Sequence, residues 1–402
     1  MLDLTTYRAL FADHELRRIV LASVAPRLPI GMNALGLTLL VQSQSGSFAH
    51  AGLVSAAYMG ALAVQAPVIG RVVDQNGPRG VMLPLGMLHA LALLLLTLAV
   101  TQRAPLAVVL VAAFAAGIVF PPISMTIRAM YRKSDMNDAL KQSAFAVEAA
   151  IMEGCFIIGP LLVSLTMLAA SPAFAVLAAA LLASVGTWHF ARSGALVRWG
   201  RVEYVAQRHW LGPLQSFGVR RALLLSLCLS MGIGLNEITL PAFANASGYP
   251  ARVGWFYAAM SVPSAIMGVA YGSWRLRWPL NRQIMLSGLW LAGGSLLMAA
   301  STQTWAFMLG CALTGLAFGP MMTALSLQLG KLAPSEYSTE AFTWSTTLFM
   351  IGLGVGFWAG GMMIERHGIA TTLVACSALM TIAALCCLLV PEVRGTAQPE
   401  GA

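Results

Sequence analysis

Residues 144–159 read AFAVEAAIMEGCFIIG, a stretch that is almost wholly apolar except for two glutamates, Glu148 and Glu153. This composition is typical of a lipid-embedded helix, because about 20 apolar residues are needed to cross roughly 30 Å of hydrocarbon. Stretches of similar length and character recur along the whole chain. We predict twelve spans, near residues 18–41, 50–70, 81–101, 105–127, 143–167, 172–191, 222–243, 252–273, 284–301, 304–330, 338–364 and 370–390.

The overall composition supports the same conclusion. Of the 402 residues, 58% are hydrophobic and only 10% are charged, whereas about a quarter are charged in soluble domains. The mean hydropathy is +0.77. A soluble fold of this size needs more charge to cover its surface, so much of the apolar surface must face lipid. The sequence predicts an all-α, polytopic membrane protein.

The basic residues indicate topology rather than nucleic-acid binding, although the net charge is +9. If the N-terminus is cytoplasmic, only Arg103, Arg252 and Arg366 of the 24 Lys and Arg residues fall in loops on the opposite side. Cytoplasmic loops of membrane proteins carry such an excess of positive charge. We therefore expect both termini in the cytoplasm, with membrane lipids as partners and no nucleic acid.

The chain reads as a duplication. Three motifs of the first half recur in the second half, at offsets of 198, 197 and 203 residues. The matching pairs are AGIVFPP (116–122) with TGLAFGP (314–320), AFAVEAAIMEGCFIIG (144–159) with AFTWSTTLFMIGLGVG (341–356), and IGMN (30–33) with IGLN (233–236). We predict two pseudo-symmetric six-helix bundles, 1–191 and 222–402, joined by a cytoplasmic linker, 192–221. Parallel repeats of this kind occur in transporters that bind substrate near the middle of the membrane.

The loop after the second predicted span carries the most specific motif. It reads GRVVDQNGPRG, with Gly70, Asp74, Gly77 and Arg79 at fixed spacing. This pattern resembles the signature of the major facilitator superfamily, and the resemblance extends over essentially the full chain. It implies a twelve-helix transporter in which this loop locks the outward-facing state, so these four residues are candidates for gating.

A second resemblance points to a branch of that family. Gly159-Pro160 resembles the glycine-proline signature of bacterial drug and metabolite exporters, where it bends the helix and seals a leak path. The match is incomplete, because Gln75 stands where the loop motif usually has a basic residue and Ala113 where drug antiporters have an arginine. The resemblance implies gating roles for Gly159 and Pro160.

The two glutamates of the opening stretch are expected to differ. Five residues apart, they point in directions about 140° apart on a helix. We expect Glu148 to form a gating ion pair with the basic end of span 4, which begins at Arg128. Glu153 has no nearby basic residue in sequence and is a candidate proton-coupling residue. The alternatives are a structural pair with Arg27 or direct contact with a cationic substrate.

Arg27 lies in PRLPIGMN (26–33), where two prolines and a glycine are expected to loosen the first span. Broken helices in membranes line cavities rather than lipid, so Arg27 is a substrate-binding candidate suited to an organic anion. The alternative is that its long side chain extends to the cytoplasmic interface.

Further candidates lie on equivalent spans. Asn33 and Asn236 occupy matching positions of the repeat and are predicted to bind substrate, unless they serve only as interhelical hydrogen bonds. Glu237, adjacent to Asn236, is the second proton-coupling candidate. Tyr58 and Trp344 are candidates for an aromatic lining of the binding site.

The function that follows is transport without enzymatic chemistry, because no nucleotide-binding loop, metalloprotease motif or catalytic triad is recognisable. We predict a monomeric, proton-coupled exporter of a small organic compound, without a cofactor or metal, in the bacterial inner membrane. The alternatives are a proton symporter importing an organic anion, a lipid-translocating member of the fold, and a transporter-like sensor.

Overall fold

A computed structural model describes residues 11–134, 136, 138–194, 196, 212–273, 278–334 and 337–390. Its regular structure is entirely helical over these residues. The chain divides into two compact units, Met1–Ala206 and Gln207–Ala402. Much of the predicted linker, at residues 195 and 197–211, lies outside the described residues.

Over its described residues, the first unit contains eight helices and a short 3-10 turn, Ala25–Arg27. The helices are α1 (His14–Ala22), α2 (Leu28–Ser45), α3 (Phe48–Asn76), α4 (Pro78–Thr101), α5 (Leu106–Ile118), α6 (Ile123–Lys133), α7 (Asp138–Ala169) and α8 (Pro172–Ala191). Their starts follow ordinary capping chemistry. The Asp13 side chain accepts hydrogen bonds from the backbone N–H groups of Glu15 and Leu16, and Ser47 accepts one from His50 at 3.0 Å.

In the described part of the second unit there are five helical segments, the last of them kinked at Gly368: α9 (Phe217–Ala246), α10 (Val253–Ser273), α11 (Leu280–Ala300), α12 (Thr304–Leu332) and α13 (Ser338–Cys386). Short 3-10 turns, Gly212–Gln215, Pro250–Arg252 and Cys387–Leu389, lie at their ends. The Ser216 side chain caps α9 by accepting a hydrogen bond from the Val219 backbone N–H.

Eleven helical segments of the described chain are long and apolar enough to cross a membrane. The eleventh, Glu340–Leu389, is 50 residues long and contains the last two predicted spans. It is interrupted at Gly368, where φ is 84° and ψ is 173°. Each side of this interruption has the roughly 20 residues that one crossing requires, so the segment corresponds to the last two predicted spans, 338–364 and 370–390, which meet at Gly368.

The fourth predicted span is divided in two, as its adjacent prolines suggest. Helix α5 ends at Ile118 and α6 begins at Ile123, with Pro121 and Pro122 between them. The amide of Gln65 donates hydrogen bonds to the carbonyl oxygens of Ile118 and Phe120, at 2.9 and 2.5 Å. These bonds satisfy backbone groups that the break would leave without partners.

The second half does not repeat this break. Helix α12 continues through Pro320, although the sequence suggests bending at equivalent places in both halves. A single proline removes one N–H donor, whereas two adjacent prolines remove two. Helix α12 therefore continues because it loses only one backbone hydrogen bond at Pro320.

The duplication is visible in how closely the helices cross. A Cβ atom added to Gly31 of α2 would lie 2.3 Å from the carbonyl oxygen of Cys155 in α7. A Cβ added to Gly234 of α9 would lie 2.3 Å from the carbonyl oxygen of Leu353 in α13. Both contacts require glycine, since no side chain fits at these distances, and Gly31 and Gly234 occupy the same place in the IGMN and IGLN repeat.

Two further crossings recur in the same way. Gly117 of α5 packs on the Tyr58 carbonyl of α3, and Gly315 of α12 packs on the Met260 carbonyl of α10; added Cβ atoms would lie 2.4 and 2.0 Å away. In the second of these crossings, Gly86 of α4 packs against Thr187 of α8, and Gly288 of α11 packs against Ala384 of α13. Small residues at helix crossings are the usual means of close packing in membranes.

Candidate functional site

A buried ion pair lies in the first unit. Arg27, at the end of the 3-10 turn that interrupts the first span, reaches Glu148 of α7 with Nη2 2.7 Å from Oε2. The side chains of Arg27 and Glu148 are 0% and 1% exposed. The Nε atom of Arg128 lies 3.8 Å from the other carboxylate oxygen, and its side chain is 51% exposed. Glu148 therefore links the first span to the broken fourth span.

This arrangement changes two expectations. Arg128 contacts Glu148 as predicted, but Arg27 is the closer partner and was not predicted for it. The alternative in which Arg27 extends to the interface is wrong, because its side chain is fully buried. The remaining basic residues at the end of span 4 have side chains that lie outside those described.

The guanidinium of Arg27 is incompletely satisfied. Its Nε and Nη1 atoms have no hydrogen-bond acceptor among the described residues. Unsatisfied buried donors are uncommon and costly, and they occur here beside a loosened segment of the first span. The group is thus chemically able to bind an added carboxylate or water if the surrounding helices separate.

Asn33 anchors a polar network one turn and a half further along α2. Its amide nitrogen donates to the Tyr58 hydroxyl at 2.8 Å and approaches Nε2 of His89 at 3.3 Å. The other ring nitrogen, Nδ1, lies 2.8 Å from the Ala116 carbonyl and must donate to it. Nε2 is then the acceptor for Asn33, so four helices, α2 to α5, are joined through defined donor and acceptor roles.

His89 is a functional candidate that the sequence reasoning missed. It is a fully buried histidine in an apolar helix, α4, and such ionisable residues in membrane spans are rare. A survey of spans that included histidine would have found it. Its contact with Asn33 and its edge-on packing against Phe120, with ring centroids 5.0 Å apart, place it at the break in span 4.

The second unit has a corresponding polar group around Asn236. Its amide nitrogen donates to the Ser295 hydroxyl at 3.1 Å, across α9 and α11. Ser295 also lies 3.6 Å from the sulfur of Cys376. The side-chain carbonyl oxygens (Oδ1) of Asn33 and Asn236 have no hydrogen-bond donor among the residues that the structure describes. The two asparagines therefore have the same unused acceptor in both halves of the repeat.

Glu237 lines a small cavity in the second unit. The cavity holds about 10 Å³, roughly the room for one water molecule. Asn236, Ser295 and Thr314 supply its other polar groups, and the remaining lining is apolar. The carboxyl has no ion pair or hydrogen bond within the described parts of the chain, and Tyr257 contacts only its backbone carbonyl, at 3.5 Å.

Glu153 is half-buried on α7 and does not share the environment of Glu148. No ion pair or hydrogen bond to it occurs over the described ranges, and in particular Arg27 is paired elsewhere. The structural pairing of Glu153 with Arg27 is therefore wrong. The adjacent Met152 accepts a hydrogen bond from Ser124 at 3.1 Å.

The proposed gating residues are only partly described. Gly77, with φ of 77° and ψ of 149°, separates α3 from α4 and is followed by a proline at the first helical position. Gly70 is half-buried and Arg79 is exposed. Asp74 lies in the last turn of α3 rather than in a loop. Its side chain is outside those described, so its contacts stay a prediction.

Gly159 and Pro160 lie inside the continuous helix α7. A Cβ atom added to Gly159 would lie 2.7 Å from the carbonyl carbon of Gly31, so the first and fifth spans meet backbone to backbone. Trp344 is half-buried in α13. No group of three or more His, Cys, Asp or Glu residues in the described chain could hold a metal ion.

Comparison with known proteins agrees with this architecture. The family model of the Major Facilitator Superfamily matches residues 21–280 and 222–402. No curated protein matches the sequence at a significant level.

Solved structures give the same fold. The human organic anion transporter MFSD10 (TETRAN) is 17% identical, with a TM-score of 0.65 over 92% of this chain and 99% of that one. The nucleoside transporter NupG is 14% identical, with a TM-score of 0.71 over 93% and 98%. The peptide transporter POT in complex with alafosfalin is 11% identical, with a TM-score of 0.69 over 93% of both chains. At these identities the similarity shows the fold alone.

Proposed function

This chain belongs to the major facilitator superfamily, and we propose that it is a proton-coupled exporter of a small organic compound that works by alternating access. Membership makes it a multi-pass secondary transporter of a small molecule and not an enzyme. The coupling ion, the direction of transport and the residues involved belong to the proposal. Glu237 and Glu153 are the proposed proton carriers.

The carboxyl of Glu237 carries the proposal. It lies in a membrane span, lines a cavity with the unused carbonyl oxygen of Asn236, and has no cationic partner within the described residues. Ionisable residues in spans are costly, and a carboxyl without a counter-charge is suited to bind and release a proton. Glu148 is less suited, because Arg27 holds it in a buried pair at 2.7 Å.

Several features support the transport cycle. The glycine crossings at Gly31–Gly159 and Gly234–Gly356 lack interlocking side chains, which suits sliding of neighbouring helices. The interruption of the first span beside Arg27 and the break at Pro121 supply positions where helices can bend. Asn33 and Asn236, with Tyr58 and Trp344, remain the proposed substrate contacts.

Export and location follow from the sequence features. The glycine-proline pair at Gly159 resembles that of exporters, and the loop from Gly70 to Arg79 resembles the family's gating motif. The distribution of basic residues supports an orientation with both termini cytoplasmic. We place the protein in the bacterial inner membrane as a monomer.

The test needs no known substrate. Purified protein in detergent is titrated across neutral pH, and the protons bound are compared among wild type, Glu237→Gln, Glu153→Gln and the control Glu365→Gln. Glu365 is an exposed carboxyl of the second unit. We expect wild type and the control to bind a proton near neutral pH, and we expect Glu237→Gln not to bind it. Glu153→Gln should show a smaller decrease in the number of protons bound. Unchanged titrations in both would overturn proton coupling through these residues.

Direction is tested after reconstitution into liposomes. An imposed pH gradient should drive efflux of compounds from a panel of small organic molecules in wild type and in Glu365→Gln, but not in Glu237→Gln. Driven movement in the same direction as the protons would favour import instead.

A second candidate function is proton-coupled import of an organic anion. The observation that favours it is the buried guanidinium of Arg27, whose Nε and Nη1 lack acceptors among the described residues; Arg128 would assist it. Pairing with Glu148 neutralises most of that charge, so this function ranks second. Uptake of carboxylates driven by an inward proton gradient, and its loss in the folded double variant Arg27→Met with Glu148→Leu, would support it.

A further inference from the structure

A groove on the first unit has basic residues at one end and apolar residues along the rest of its length. It holds about 570 Å³ and lies between α1 with the following 3-10 turn on one side and the C-terminal half of α8 on the other. Leu21, Leu181 and Val185, which line it, are 62%, 62% and 54% exposed. Such exposed apolar side chains in a membrane protein face lipid rather than water.

The two helices bring their basic groups to the same end of this groove. Arg18 lies four residues before the end of α1, and His189 lies two residues before the end of α8. The opposite end is lined by Ala25 and Leu181. Helical spacing explains the arrangement, since residues three and four apart share one face, so each helix contributes one basic group and an apolar strip.

The basic end also lies at the level of the membrane interface. Just beyond the groove, the guanidinium of Arg192 stacks on the Trp188 ring at 4.6 Å. Tryptophan is enriched where membranes meet water. A headgroup at this level would meet Arg18 and His189, while its acyl chain would lie along the apolar strip.

We propose that this groove binds an anionic phospholipid, with the phosphate at Arg18 and His189 and an acyl chain against Leu21, Leu181 and Val185. Charge complementarity favours an anionic headgroup over a zwitterionic one, and the apolar floor favours a lipid over a free anion. Basic pockets between membrane helices are known to bind acidic headgroups. The site is separate from the polar groups proposed for transport.

Native mass spectrometry of the full-length protein tests this proposal. The protein, in a mild non-ionic detergent, is offered phosphatidylglycerol and phosphatidylcholine with identical acyl chains. We expect wild type to retain phosphatidylglycerol preferentially. In the double variant Arg18→Gln with His189→Gln, this preference should fall at least about fivefold, because the loss of Arg18 alone removes about 1 kcal/mol of attraction to an anionic headgroup. Both side chains are exposed, so the variant should fold normally.

Two further variants sharpen the test. Val185→Phe fills the groove but keeps its charges, and should lower retention of the lipid as much as the double variant does. The control Arg282→Gln removes an exposed arginine that stacks on Trp278 at 4.8 Å and lines no part of the groove, and should retain the wild-type preference. The proposal is overturned if wild type shows no preference, if the double variant keeps it, if Val185→Phe binds as wild type does, or if the control loses as much.

Discussion

The two units share their helix crossings but differ in the charge at their centres. Gly31 and Gly234 make equivalent backbone contacts, and Asn33 and Asn236 follow them at equivalent positions. In the first unit a buried arginine and glutamate compensate each other. In the second, Glu237 has no such partner in the described residues. The two units therefore share the packing at these crossings, whereas their buried ionisable groups differ.

This difference indicates how each unit should respond to substitution of its buried ionisable residues. A compensated buried pair becomes destabilising when one member is lost, because the other remains as an uncompensated charge. A lone carboxyl can be neutralised by a proton at no such cost. We expect the first unit to be sensitive in stability and the second in proton binding.

The largest expected effect is in Glu148→Ala. It leaves Arg27 buried and unpaired and should lower the free energy of unfolding by about 3–5 kcal/mol. Unfolding in mixed micelles, followed by tryptophan fluorescence, measures it. The double variant Arg27→Met with Glu148→Leu should recover most of the loss, and Arg128→Gln should cost at most about 1 kcal/mol because that side chain is 51% exposed. Equal stability of Glu148→Ala and wild type would contradict the buried pair.

The next effect tests what the units have in common. Gly31→Ala and Gly234→Ala each place a methyl group against a carbonyl oxygen and should cost about 1–3 kcal/mol, by similar amounts. Gly60→Ala and Gly293→Ala are matched controls, since nothing lies within 4 Å of an added Cβ there. A large loss in only one of the two crossings would break the equivalence of the repeats.

A smaller effect separates the asparagine groups. Asn33→Leu removes a partner from both Tyr58 and His89 and should cost about 1–2 kcal/mol, whereas Asn236→Leu should cost about 0.6 kcal/mol. The reason is that Ser295 keeps its bond to the Leu291 carbonyl, at 3.0 Å. The same unfolding measurement ranks them, and the reverse order would show that the His89 network contributes little.

The smallest expected effect on stability is in Glu237→Gln. Because the carboxyl has no ion pair in the described part of the chain, the variant should remain within about 0.5 kcal/mol of wild type. A thermal unfolding curve in detergent is sufficient to check it. A loss comparable to that of Glu148→Ala would mean that Glu237 is structurally paired and would remove it as a proton carrier.

Much of the fold could be predicted from sequence, because lipid imposes length and composition on every span. The repeat offsets also matched Gly31 to Gly234 through the IGMN and IGLN motifs, and both glycines lie at close helix crossings that the sequence did not predict. The last two spans were predicted with a break between residues 364 and 370, and the interruption at Gly368 lies within that break. Hydropathy marks the break through polar residues such as Arg366 and His367, but it does not show that only one residue there leaves the helical conformation.

The candidate site was less predictable. Arg27 and Glu148 are far apart in sequence, and nothing local shows that the first and fifth spans bring them within 2.7 Å. The sequence favours Arg128 as the partner of Glu148, because Arg128 lies at the end of the preceding span, and this contact is present at 3.8 Å but is the longer of the two. His89 was missed for a similar reason, since its role depends on Asn33, which is distant in sequence and close in the fold.

The joint at Gly368 has a consequence for how the protein is made. Its backbone, at φ 84° and ψ 173°, is accessible to glycine and strained for other residues. The two helical parts meet at this one residue, directly after the polar residues Glu365, Arg366 and His367, so the insertion machinery receives two consecutive spans with only a short polar turn between them. Epitope tags, glycosylation sequences and protease sites placed at this joint should disturb biogenesis itself, whereas the same insertions at the capped Gly46–Ser47 connection should be tolerated.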